Sequence, residues 1–143
     1  MTRPELLKFI RSQSLAVQAT VSPLSAPQAA VVGFVITDDF ELFFDTVDIN
    51  RKVDNLRRNS KIAFVIGGLI RGDERTVQYE GTADEPSGTE LEHLKEIYFT
   101  QFPDGRDRQT WPGLTYFRVR PTWIRYSNFN TIPEEKIEFQ FNK

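Results

Sequence analysis

Apolar runs follow one another along this chain with turns, rather than helices, between most of them. "LAVQATV", Leu15 to Val21, alternates and is rich in β-formers, so it reads as a strand. "SPLSAP" is turn material, and Ala29 to Ile36, "AAVVGFVI", is apolar enough for a strand buried on both faces. "TDD" turns the chain into a strand from Phe40 to Asp45, completing a meander. Further strands are predicted over Lys61–Ile66, Arg75–Ala83, Thr115–Val119 and Thr122–Tyr126, with Pro121 marking an edge or a bulge. In Arg75–Ala83 the period of two puts Val77, Tyr79 and Gly81 on one face and Thr76, Gln78 and Glu80 on the other.

Helical spacing is confined to three places. Thr2 and Glu5 have capping-box spacing ahead of a short helix from Arg3 to about Ser12. Asp48 to Arg58 carries a narrow stripe of Val53 and Leu56, and "DEPSGTELEHLKEIYFTQF" contains the longest helix. "PDGRDRQTWPG" reads as a loop, and the fold of "NTIPEEKIEFQFNK" is left open. Six or seven strands without regular βαβ alternation imply a mainly β fold: an antiparallel, open or closed β-barrel with peripheral helices.

The 143 residues are expected to form one domain, 1–143, with residues 126–143 as a C-terminal tail. A hydrophobic content of 39% with twelve Phe suits a packed core. A net charge of −2 argues against a non-specific nucleic-acid binder. No apolar run approaches the ~18 residues of a membrane span, and "MTRPELLKFI" lacks the features of a secretory signal. With no Cys, thiolate chemistry and disulfides are excluded, which fits a cytoplasmic protein. The one His, His93, is expected on the solvated side of the long helix, so a multi-histidine metal site within one chain is impossible and no catalytic triad can be assembled. No dinucleotide fingerprint or P-loop is present, so any redox chemistry would be carried by a bound cofactor.

The candidate site lies in "FDTVDINRKVDNLRRNSKIAFVI", Phe44 to Ile66. A strand that feeds a helix start presents free backbone N–H groups and the positive end of the helix dipole. Thr46, Asn50, Arg51 and Lys52 would add hydrogen-bond donors and charge, as a phosphate requires. Because Arg57, Arg58 and Lys61 continue the basic run, a solvated face accounts for the same pattern. Trp111, in the Pro- and Gly-flanked "TWPG", is open to two roles, packing against the barrel or stacking on a ligand.

Together these segments resemble the pyridoxamine 5′-phosphate oxidase-like family of FMN-binding split barrels. The resemblance runs from about Leu6 to Tyr126. Its most specific parts are "TVDINRKVDNLRRNSKIAFVI" and "RTVQYEG". It implies a six- to seven-stranded antiparallel split β-barrel, a homodimer with two FMN sites at the subunit interface, and a small-molecule substrate oxidised or reduced by flavin hydride transfer. It also implies that Arg51 and Lys52 hold the FMN phosphate, that Thr46 and Asn50 line the same end, and that Thr76 and Gln78 face the flavin. Trp111 would approach the ring from the partner subunit. The family's second-strand Arg and Lys are replaced by Ala30 and Val35, and the tail has no His, so a substrate other than a vitamin B6 phosphate is expected. Two alternatives accompany this reading: a reductase of the same fold that uses a deazaflavin as cosubstrate, and a non-catalytic module that binds flavin or haem.

Overall fold

A computed structural model describes residues 1–141 of the chain, in which eight strands form one antiparallel sheet. The elements in chain order are α1 (Arg3–Arg11), β1 (Leu15–Val21), β2 (Pro27–Gly33), β3 (Val35–Ile36), β4 (Leu42–Val47), α2 (Arg51–Arg58), β5 (Lys61–Gly67), β6 (Arg75–Asp84), α3 (Gly88–Gln101), α4 (Gly105–Arg108), β7 (Leu114–Asn128) and β8 (Glu135–Gln140). In space the strands run β2-β1-β5-β6-β7-β4-β3, with β8 pairing β7. The edge strands β2 and β3 are separated in sequence by Phe34 alone, so the sheet must curl until its two edges come together at that residue. This is the mainly β, antiparallel barrel that the order of apolar runs implies, in the split form that the resemblance implies.

Helix α1 starts as predicted. Thr2 Oγ1 accepts from the Glu5 amide and Glu5 Oε1 accepts from the Thr2 amide, at 3.2 and 2.7 Å. Its Leu6, Phe9 and Ile10 enter the barrel core with Phe44, Phe64, Tyr79 and Phe117. A second, smaller core lies under α3, where Leu94, Tyr98 and Phe99 meet Val35 and Phe43.

The structure revises several predicted boundaries. Ala29–Ile36 is not one doubly buried strand: β2 ends at Gly33, and Ala29, Ala30 and Val31 are exposed. Among the described residues β2 has one strand neighbour, and its outward-facing Val31 is 62% exposed. The strand buried on both faces is β4, whose Leu42 and Phe44 join the barrel core while Phe43 lies under α3. Phe40 belongs to the preceding turn with φ of 64°, and its buried ring holds it there. Helix α2 begins at Arg51 rather than Asp48, because the Asp48 amide donates to Gly113 O and the Asn50 amide to Val47 O. The loop before β7 contains the short α4.

The two strands predicted around Pro121 are one long β7 with a bulge. Glu80 pairs Trp123 while Gly81 pairs Pro121, which leaves Thr122 as the extra residue. A Cβ on Gly81 would strike the Arg120 carbonyl, so glycine is what lets the two backbones approach. β8, in the segment left open by the sequence, pairs β7 from Trp123 to Asn128.

Candidate functional site

The start of α2 faces the inward side of β1 and β2. Asn50 occupies the N-cap position but does not cap: its Nδ2 donates instead to Thr46 Oγ1 at 3.0 Å. The first amides of α2 are therefore left without a side-chain acceptor. Thr46 is buried at the end of β4, so the Thr46–Asn50 bond ties the turn to the strand behind it.

The basic run divides here. Arg57 makes a two-pronged ion pair with Glu85, both bonds 2.9 Å, and Arg58 lies 3.8 Å from Asp54 on the helix surface. The solvated-face reading holds for these two. Among the described residues, no carboxylate pairs with Arg51 or Lys52. Both line a pocket of about 340 Å³ whose other walls include Gln18, Thr20, Gln28, Ala30 and Ile49. Lys52 is half-buried. Burial pushes its ammonium pKa down, and the Asp45 carboxylate opposes that shift. An anion in the pocket would meet two cations that no described carboxylate pairs, together with free helix amides.

Behind the pocket is a polar floor that the sequence reading did not single out. In β1 the inward positions are Ala16, Gln18 and Thr20, and the apolar Val17, Ala19 and Val21 point outward. Asn55, buried on α2, donates through Nδ2 to Thr20 Oγ1 and to Gln28 Oε1, each at 2.9 Å. These bonds fix α2 against β1 and β2. The signal in the sequence was the polar phase of "LAVQATV", whose inward direction becomes apparent only once α2 covers it.

Asp45 organises the far side of the turn. Its carboxylate accepts from Tyr98 Oη at 3.0 Å and from Arg108 Nε at 2.9 Å. This bond fastens α4 and the loop carrying Trp111. The same loop is held at Gly113, whose φ of 77° and close approach to the Asp48 carboxylate exclude a side chain. Trp111 itself is 51% exposed and does not line the pocket, so it is not packed into this chain's barrel.

Asn50, Arg51 and Lys52 therefore share the pocket, with Thr46 bonded to Asn50 but not lining it, whereas Thr76, Gln78 and Trp111 are not part of that pocket. Gln78 lies on the exposed outward face of β6, paired with Val65 and Arg125, and Thr76 pairs Gly67 and Ser127. Of the two replaced second-strand positions, Ala30 lines the pocket and Val35 is buried under α3. His93 is exposed on α3, as predicted. Among the described residues no group of His, Asp or Glu could hold a metal ion, and no helix is long and apolar enough to cross a membrane.

A split antiparallel barrel with a basic helix start on its inward face defines the class. The chain belongs to the pyridoxamine 5′-phosphate oxidase family, whose sequence model matches residues 2–128. No curated protein matches it in sequence. Solved structures are similar in fold at low identity. A haem-binding protein from Mycobacterium smegmatis superposes with a TM-score of 0.83 at 14% identity, covering 98% of this chain and 58% of that one. The haem storage protein HutZ from Vibrio cholerae gives 0.73 at 16% identity, covering 96% and 92%. General Stress Protein 26 from Bacillus anthracis gives 0.71 at 22% identity, covering 96% and 98%. The chain thus spans a little over half of the mycobacterial protein.

Proposed function

We propose that this chain is an FMN-binding oxidoreductase of the family, a cytoplasmic homodimer acting on a small-molecule substrate. The observation that carries the reading is the uncapped start of α2, where Arg51 and Lys52 have no paired carboxylate among the described residues and stand beside a polar pocket. The donor set fits a phosphate monoester: a guanidinium, an ammonium and free amides, with no carboxylate among the pocket's lining residues. Arg51 and Lys52 would hold the phosphate, with Thr46 and Asn50 keeping the turn in place. Thr76, Gln78 and Trp111 would serve the site of the partner protomer. Bound flavin would supply the hydride chemistry, and the chain's own residues would hold and orient it.

Haem binding is a second reading, favoured by the fold similarity to two proteins described as binding or storing haem. It needs an axial ligand, and His93 does not line the pocket. A Soret band in the purified protein would select haem, and flavin bands would select FMN.

The direct test compares FMN with riboflavin, which lacks the phosphate. Each charge-assisted hydrogen bond contributes about 1.5–3 kcal/mol. Arg51→Ala with Lys52→Ala should therefore weaken FMN binding about a hundredfold or more and leave riboflavin almost unchanged. A double variant that keeps the full preference for FMN would remove the phosphate assignment. FMN bound no better than riboflavin by the wild type would favour a deazaflavin or another ligand.

A further inference from the structure

Gln18 is 1% exposed, and neither its amide nitrogen nor its amide oxygen has a hydrogen-bond partner among the described residues. Leaving both ends of a buried amide unpaired opposes folding. The sheet register explains why no neighbour relieves it. Gln18 sits in an inward cross-strand row between Ala30 on β2 and Phe64 on β5, neither of which has a polar side chain. Further along β1, Thr20 and its pair Gln28 are engaged by Asn55. Gln18 lines the pocket that Arg51 and Lys52 also line, across from Ala30, so a rotation of its side chain would bring the amide to a ligand held there.

We propose that Gln18 is a specificity-determining ligand contact, binding a neutral, hydroxyl-bearing part of a phosphate monoester whose phosphate lies at Arg51 and Lys52. The inference rests on the phosphate reading of that pocket. The chemistry follows from what an amide can do. Gln18 offers one acceptor and one donor group without charge, so its natural partner both donates and accepts. A hydrocarbon chain would leave both ends unpaired. A second carboxylate or phosphate would satisfy the NH₂ group and leave the oxygen without a donor. Adjacent hydroxyls, as on a sugar or a polyol, satisfy both. The ribityl phosphate of FMN belongs to this class.

The test replaces Gln18 by Leu, which is close in volume and has no polar atoms. Affinity for FMN and riboflavin should each fall roughly tenfold, because both carry the hydroxyls. The affinity of inorganic phosphate, measured by competition, should not change. Without ligand, Gln18→Leu should melt at the same temperature as the wild type or a few degrees higher, since an unpaired buried amide has been removed. Gln18→Met should behave in the same way. Unchanged FMN and riboflavin affinity would overturn the assignment. So would a lower melting temperature or a failure to fold, either of which would show that the amide is held within the protein or by buried water. Arg51→Ala with Lys52→Ala, run in parallel, tests the underlying phosphate reading separately: retained FMN preference there removes that reading, whereas intact Gln18→Leu binding removes this one.

Discussion

Lys52 differs from the other basic residues of its segment in being half-buried and, among the described residues, without a paired carboxylate, and that combination has a consequence for pH. Burial lowers its pKa below the ordinary 10.5, with Asp45 opposing, so it loses its proton earlier than a surface lysine. A phosphate beside it would favour the charged form. The complex then holds more protons than the free protein over the range where Lys52 titrates, and affinity must fall as pH rises through that range. FMN binding should weaken on the alkaline side while riboflavin binding stays flat. Lys52→Arg keeps its charge throughout and should remove the dependence. Dissociation constants for both ligands between about pH 7 and 10 provide the measurement, and a wild-type FMN curve as flat as the variant's would place Lys52 away from the phosphate.

At the scale of elements, β6 and β7 show what the sequence can and cannot specify. Pro121 signals an irregularity, but the partner that makes it possible is Gly81, forty residues earlier, where the carbonyl of Arg120 takes the place of a Cβ. Gly81→Ala should destabilise the protein by about 2 kcal/mol or more, since the clash is with backbone that cannot rotate away. Urea unfolding would measure it, and a variant within about 0.5 kcal/mol of wild type would mean that the bulge can widen at little cost. The same limit governs legibility elsewhere. Strands and the capped α1 were readable because period two and Thr2–Glu5 are local signals. Arg51 and Lys52 were readable as neighbours at a helix start. Gln18, Thr20, Gln28 and Asn55 were not, because their roles depend on which strands lie beside them and on α2 crossing their inward side. β2 departed from its expected double burial for a similar reason: an apolar run says nothing about how many layers will cover it.

Across the whole molecule, the outward face of the sheet is divided along one cross-strand row. Val31, Val17 and Val65 stand side by side on β2, β1 and β5, followed by Gln78 on β6 and then by the ion-paired Arg125 and Glu138 on β7 and β8. Val31 is 62% and Val65 42% exposed, and the next row repeats the pattern with Ala29, Ala19 and Ala63 before Glu80. In β1, then, the apolar phase points away from this chain's core and the polar phase points into it. A second copy covering the valine row would account for that inversion, and would bring the exposed Gln78 at its border into an interface. We expect a homodimer burying about 2,000 Å² or more, the size of an obligate contact. Val31→Asp with Val65→Asp places two charges in the centre of that surface, where neither can be paired. The variant should sediment as a monomer with its near-native strand content intact, since both positions are exposed within one chain. If Thr76, Gln78 and Trp111 serve the partner's flavin, the monomer should also bind FMN more weakly while still preferring it to riboflavin, because Arg51 and Lys52 remain. A wild-type protein that is monomeric at micromolar concentration would refute the dimer, and a monomeric variant with undiminished FMN affinity would show that one chain's pocket is sufficient.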